Sequence, residues 1–275
     1  EAVAKIEAAE AKGVNVQILR ADVSDTDSMK EAFATLHETM KPLAGIVHSA
    51  GVLNDGVIDQ QTEEQFLKVL TPKVKGAWNL HTLTQDIDLD FFICFSSIAS
   101  IVGWAGQSNY ASANAFMDTL AFHRQAQGKS ALTVNWGPGA EAGTAASLDE
   151  RDIQRMKDSG MTPLRATNGM DAMSRLMAYN VPQAGVFELD WNLILKQYAD
   201  PRKKTVLSNF IDEDALGDAV DFLEQLFATS KDIRETMLIE TVSQILADVL
   251  GVDSADSIDK HNNIYEYGLN SLMAL

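Results

Sequence analysis

Two hydroxyl side chains, Ser97 and Tyr110, stand thirteen positions apart in the stretch FFICFSSIASIVGWAGQSNYASANAFMDTLAFHR, residues 91–124. The stretch opens as a continuous apolar run, Phe91 to Phe95, of the kind carried by a strand covered on both faces. Two serines end the run, Gly103 and Gly106 punctuate a loop, and Tyr110 opens an alanine-rich helix. Small residues at Ala111, Ser112, Ala113 and Ala115 let that helix approach a neighbour closely. A hydroxyl at the carboxyl end of a buried parallel strand lies where open α/β sheets place their ligands. The spacing lets the chain leave the strand and return on the next helix, so that two hydroxyls converge on one substrate atom. Each residue also has an ordinary structural use, the serine as a strand-end cap and the tyrosine as a packing residue.

The elements that must position this pair are legible along the chain. Residues 1–12 favour a helix ending at Gly13, and VNVQILRADVSD reads as a strand running to Asp22. Asp25 or Thr26 caps a helix over about 27–40. PLAGIVHSAG is a second buried strand with a glycine-bearing turn. A helix over about 62–83 follows, containing Pro72-Lys73-Val74-Lys75-Gly76. ALTVNWGPG supplies a further strand, residues 140–168 hold a polar helix, and a helix near 168–179 leads to a strand over Ala184–Leu189 ending at Trp191. Alternating strands and helices predict right-handed crossovers and a doubly wound parallel sheet. Each strand ends in a polar or glycine-rich patch, and four such ends on one sheet edge describe a binding crevice. The chain begins with a helix and shows neither a G-x-G-x-x-G nor a P-loop motif, so it is expected to be cut at its amino end, without a first strand and phosphate loop.

With 275 residues the chain holds one large domain, or one large and one small. A net charge of −17 argues against non-specific nucleic-acid binding. The single cysteine, Cys94, lies inside the apolar strand and suits a reducing compartment. With no apolar run of membrane length, the expectation is a soluble, cytoplasmic protein without membrane contact and without a metal. Three regions follow: a catalytic domain over 1–199, a polar linker over 200–231, and a terminal segment over 232–275 that is too short to bury a core unaided.

Ser97, Tyr110 and the turn at Gly51 resemble those of short-chain dehydrogenases/reductases. In most of that superfamily a lysine follows the tyrosine by four positions; here Asn114 stands there, and a lysine appears at Lys73 in KVKGAWNLH. This exchange is the pattern of ketoreductase domains of modular polyketide synthases, and HSAGV, KVKGAWNLH, FSSIAS, GQSNYASANAF and NWGPG match in order over about 1–191. GLNSL, after a helix with the pattern LxxVLGV, resembles an acyl carrier protein, which places a phosphopantetheine-bearing serine at Ser271. Asn270 replaces the usual aspartate there. The resemblance implies a Rossmann-like doubly wound α/β domain followed by a partial all-α carrier domain.

It also implies NADPH as cofactor, 4′-phosphopantetheine on Ser271, a β-ketoacyl thioester on an acyl carrier protein as substrate, and the other domains of the same synthase as partners. Tyr110 is then the general acid; an unperturbed tyrosine titrates near ~10, and a nearby cation brings that down. Lys73 is the implied cation, Ser97 stabilises the developing oxyanion, and Asn114 orients Lys73 or a water, or else bonds to backbone. For the cofactor the resemblance implies Asp22 and Val23 at the adenine, Ala50 and Gly51 beneath the ribose, Lys73 and Tyr110, and Pro138 and Gly139 beside the nicotinamide amide. Family members giving the (3R)-hydroxyl carry Leu-Asp-Asp after HxAGV; here the triplet is Leu53-Asn54-Asp55. The tryptophan of the opposite class is missing, since its position is Val102 and Trp104 is two residues off. The competing readings are a structural domain that no longer catalyses and a free-standing short-chain alcohol dehydrogenase.

Overall fold

A computed structural model of the chain describes residues 2–104, 106–140, 150–158, 160–191, 193–194 and 225–250, with 254–255 and 258–259. Its centre is a parallel sheet of four strands, β1 (Gly45–His48), β2 (Phe91–Ser97), β3 (Leu132–Trp136) and β5 (Gln183–Val186), in the order β1-β2-β3-β5. A short antiparallel pair, β4 (Met161–Thr162) with β6 (Glu188–Leu189), stands apart from it. Because side chains alternate along a strand, β2 serves two cores. Phe92 and Cys94 pack with Ile46, Ala77, Leu80 and Met117 on one face. Ile93 packs with Leu132 and Val134 on the other, where Met173 and Leu176 of helix α8 (Ala166–Leu176) close over the sheet. The unbroken apolar run of β2 is thus explained by burial on both faces, as the doubly wound arrangement requires.

Helix α1 (Ala2–Glu10) ends before Gly13, whose φ of 84° only glycine adopts at no steric cost. Helix α2 (Thr26–Thr39) is capped by Asp25, whose carboxylate accepts from the amides of Asp27 and Ser28. The expected single helix over 62–83 is three pieces. Thr62 and Gln65 form a capping box for α3 (Glu63–Leu70), a π turn spans Thr71–Lys75, and α4 (Gly76–Leu83) follows. Pro72 is the physical reason for the break. It has no N–H to give and its ring crowds the carbonyl four residues back, and the widened π turn accommodates both. Between β2 and the long helix α6 (Ser108–Ala126) the expected loop contains one short helix, α5 (Ala99–Val102).

Two further departures from the sequence reading are structural. Residues 14–22 are not a strand: no described residue pairs with them, Val14 and Ile18 stand exposed, and the ladder ends at β1. Extended sequence without a hydrogen-bonded neighbour is not a strand, whatever its β-propensity. The run 184–189 is split at Phe187, its first half closing the parallel sheet and its second pairing with β4. The polar helix of the 140–168 region is α7 (Glu150–Asp158). At the carboxyl end an amphipathic helix, α9 (Lys231–Leu250), begins the expected carrier segment, and GLNSL with Ser271 lies outside the described residues, as does most of 200–231. Among the described residues no helix is long and apolar enough to cross a membrane, and no cluster of His, Cys, Asp and Glu is arranged to hold a metal.

Candidate active site

The π turn decides where the lysine goes. Lys75 stays in solvent, while Lys73 is only 4% exposed and turns inward beneath the end of β2. Its Nζ donates to the carbonyl of Phe95 at 3.2 Å and lies 5.1 Å from the centre of the Tyr110 ring. Burial pulls the ammonium down from 10.5 to about 8, and Cys94 and Asp118 oppose that fall. Gly51 leaves room for the lysine stem: a Cβ at that position would stand 2.8 Å from Lys73 Cε. Gly51→Ala is therefore expected to displace the lysine or strain the turn, at a cost of about 1–3 kcal/mol, read as a lower melting temperature with a loss of turnover.

Tyr110 sits in the first turn of α6, half-buried. The cation was expected to bring the phenol below its ordinary value. Burial wins instead and pushes the pKa up from 10; hydrogen bonding to Asn114 and Ser97 offsets part of that rise, and the carboxylate of Asp55 adds to it. The phenol is therefore protonated at neutral pH, the form from which a proton is given. Asn114 is fully buried, and its Nδ2 donates to the Tyr110 carbonyl at 2.8 Å, which is the backbone-bonding alternative. Its Oδ1 is buried without a partner among the described residues. Ser97 ends β2 in register with Trp136, and its Oγ accepts from the Ala99 amide at 3.2 Å. The serine is thus a strand-end cap and a phenol partner at once.

Asn54 and Asp55 lie against the same helix start. Asn109, fully buried, donates to the Asn54 carbonyl at 2.8 Å and accepts from the Tyr110 amide at 2.7 Å. Gln107 donates to Asp55 Oδ2 at 2.8 Å, leaving Asp55 Oδ1 buried and unpartnered. Leu53 is half-buried beside them in the chain. Further along the crevice, Asp22 is exposed, and Ser24 engages its carboxylate through side chain and backbone, which lowers its pKa. Asp22, Ser24, Val52, Leu67, Thr71 and Pro72 line an open cleft of about 680 Å³. Val23 packs against Gly76, and Asn79 of α4 holds its carbonyl at 3.0 Å. Ala50 is half-buried beside Gly51. Pro138 and Gly139 pair with Leu164, the Leu164 amide donating to Pro138 at 2.7 Å.

Sequence reasoning missed the polar residues that hold these groups: Asn79, Gln107, Asn109, Asp118 and Asn135. One signal was available, the i, i+4, i+8 spacing of Tyr110, Asn114 and Asp118, which puts all three on one side of a helix. Asn114 Oδ1, Asp55 Oδ1 and Trp136 Nε1 are buried without a partner among the described residues and are free to engage a polar ligand.

Fold and site define a Rossmann-like α/β protein with a Ser-Tyr-Asn-Lys constellation at the carboxyl end of its central strand. The family model of the KR domain matches residues 1–141, and that of a phosphopantetheine attachment site matches residues 240–275. The chain belongs to the KR domain family, the ketoreductase domains of modular polyketide synthases, and runs on into a carrier domain. It is 36% identical to a phenolphthiocerol synthesis polyketide synthase type I of Mycobacterium marinum, over 96% of this chain and 13% of that protein. It is likewise 36% identical to polyketide synthase GfsB of Streptomyces halstedii, over 94% of this chain and 5% of that protein. The chain therefore spans a small part of the length of these relatives. Among solved structures, an A1-type ketoreductase aligns with a TM-score of 0.69 at 31% identity, covering 77% of this chain and 43% of that one. A ketoreductase domain from the bacillaene assembly line aligns with a TM-score of 0.65 at 34% identity, covering 70% and 47%.

Proposed function

We propose that residues 1–199 are the catalytic part of an NADPH-dependent reductase that converts a β-ketoacyl thioester, held on an acyl carrier protein, to the β-hydroxyacyl thioester of (3R) configuration in polyketide biosynthesis. Residues 200–231 are then a linker, and 232–275 the start of a carrier domain bearing 4′-phosphopantetheine on Ser271. The synthase works in the cytoplasm and its other domains are the partners. One observation carries this reading: Lys73, Ser97, Tyr110 and Asn114, from a π turn, a strand end and a helix, meet at one place.

NADPH, when bound, supplies the hydride. Asp22 and Val23 would hold its adenine end, Ala50 and Gly51 its ribose, and Pro138 and Gly139 its amide, and Lys73 and Tyr110 would serve its reacting end. Ser97 donates a hydrogen bond to the substrate carbonyl oxygen, steadying the charge that develops there. Tyr110, kept protonated by burial, delivers its proton to that oxygen. Lys73 then stabilises the phenolate left behind, its charge strengthened by the dry surroundings. The free Oδ1 of Asn114 accepts from a water or from Lys73, so that the phenol is reprotonated without exposure of the site. Asp55, fixed by Gln107 and acting on the phenol, selects the face of the ketone.

The test is NADPH consumption by the complete synthase module given a β-ketoacyl thioester, with NADH as comparison and chiral analysis of the product. The expected result is NADPH-preferring reduction to the (3R)-alcohol. No turnover with intact nucleotide binding would mean a structural domain, and turnover of small free alcohols in preference to the thioester would mean a free-standing type of dehydrogenase. A (3S) product would overturn the role given to Leu53-Asn54-Asp55.

A further inference from the structure

Asp118 lies two helical turns beyond Tyr110 and one beyond Asn114 on α6, 8% exposed. Its carboxylate faces the end of β2. Ser100 Oγ reaches Asp118 Oδ2 at 2.6 Å and the Ser97 carbonyl at 2.8 Å. Asn135 Nδ2 lies 3.1 and 3.0 Å from the two carboxylate oxygens, 3.1 Å from Ser96 Oγ, 2.8 Å from Ser100 Oγ and 3.3 Å from the Ser97 carbonyl. Gln183 of β5 holds the other end of that amide through Asn135 Oδ1 at 3.1 Å. Ser97 is thus tied, through Ser100, Asn135 and Asp118, to the helix that carries the phenol.

A serine hydroxyl has one proton, and the shorter of the two Ser100 contacts is the one to the carboxylate. The two N–H groups of Asn135 are shared among the carboxylate, the Ser96 and Ser100 hydroxyls and the Ser97 carbonyl. Neutral donors alone compensate a buried carboxylate poorly, and the nearby positive charge is Lys73: burial raises the acid's pKa, the hydrogen bonds and Lys73 lower it, and Asp118 in turn sustains the ammonium. Around this pair, the charged groups Asp55 and Arg124 act on Tyr110 and Cys94, while Cys94, His48 and Tyr110 themselves carry no charge at neutral pH. Cys94 on β2 is pushed up to about 12, His48 on β1 is pulled down to about 4, and Tyr110 is protonated.

We propose that Asp118 is a positioning residue for the reduction, clamping the Ser97 end of β2 to the helix beneath Tyr110 and Asn114 and supplying the counter-charge for Lys73. This rests on the reductase reading above, and its test has one arm that does not. In the complete parent chain, Asp118→Asn keeps the shape and an acceptor for Ser100 but removes the charge. The expected result is a kcat reduced by about tenfold or more, KM for NADPH little changed, and an alkaline limb of the pH profile moved to lower pH, with Asp118→Glu restoring the limb. Ser100→Ala loosens the clamp without changing charge and is expected to lower kcat while leaving the limb in place. If Asp118→Asn fails to fold, Ser100→Ala and Asp118→Glu carry the kinetic test. Independently of turnover, the Lys73 Cε signal of 13C-lysine-labelled protein, assigned with Lys73→Met, is expected to titrate about half a unit or more lower in Asp118→Asn. A parent that reduces nothing would overturn the reductase reading and leave this titration to decide the counter-charge. Turnover within twofold of the parent for both variants would overturn the clamp, and an unmoved Lys73 titration would overturn the counter-charge.

Discussion

Replacing Tyr110 by phenylalanine is expected to lower kcat for reduction of a β-ketoacyl thioester by about 10²–10⁴-fold, the range that a positioned general acid contributes, with nucleotide binding nearly unchanged. The change removes one oxygen from a half-buried ring whose place in the fold is set by backbone and neighbours, not by its hydroxyl. It breaks the hydrogen bonds of the phenol to Ser97 and Asn114 and leaves the ring in place. Stability is therefore expected to move little, and thermal melting of the variant separates the chemical loss from misfolding. Because burial holds the phenol protonated above its ordinary 10, the parent's acid is in its working form throughout the neutral range. Turnover of the parent is thus not expected to fall near neutrality because of this group. A Tyr110→Phe variant retaining more than a tenth of parental kcat would assign the proton to another donor.

Lys73→Met is expected to separate function from stability. The ammonium is buried, and its fall from 10.5 to about 8 corresponds to about 3 kcal/mol of disfavoured charge. Above pH 10.5 neither folded nor unfolded lysine is charged; between 10.5 and about 8 only the unfolded state holds the proton; below about 8 both do. The charging penalty is therefore fully present below about pH 8 and fades as pH rises to 10.5, so this group makes the fold more stable with rising pH across that window. Methionine fills a similar volume without that penalty, leaving only the Phe95 carbonyl to be satisfied. The melting temperature at pH 7 is expected to hold or rise, while kcat/KM falls by about 10²–10³, as for loss of one preorganised electrostatic donor. In the parent, kcat/KM is expected to decline as pH rises through about 8, because the ammonium form is lost there. A melting temperature lowered together with activity would show Lys73 to be a structural residue.

The carboxyl-terminal part repeats this division between what residues specify and what surroundings must add. Helix α9 exposes Leu238, Ile239, Val242 and Ile245, whose spacing puts them on one side of the helix. That periodicity was readable in the sequence.

The sequence alone determined that β1, β2 and β3 are strands of one parallel sheet, because the signals are local. A five-residue apolar run with serines after it has few places to go other than the middle of a parallel sheet, and glycines 103 and 106, both at positive φ, mark the turn that follows. The identities of Ser97, Tyr110, Asn114 and Lys73 were legible for the same reason, as types at fixed spacing. Only the tertiary structure decided that Lys73 rather than Lys75 is buried, through the π turn at Pro72, since one residue of helical register rotates a side chain by about 100°. It decided that residues 14–22 are not a strand, because pairing is a property of two segments and not of one. It decided the state of Tyr110, where desolvation outweighs a cation a few ångströms away. And it joined Asp118, Asn135 and Ser100, which lie on separate elements, into one buried network: hydrogen bonds at 2.6–3.3 Å depend on distances that no spacing along a chain contains.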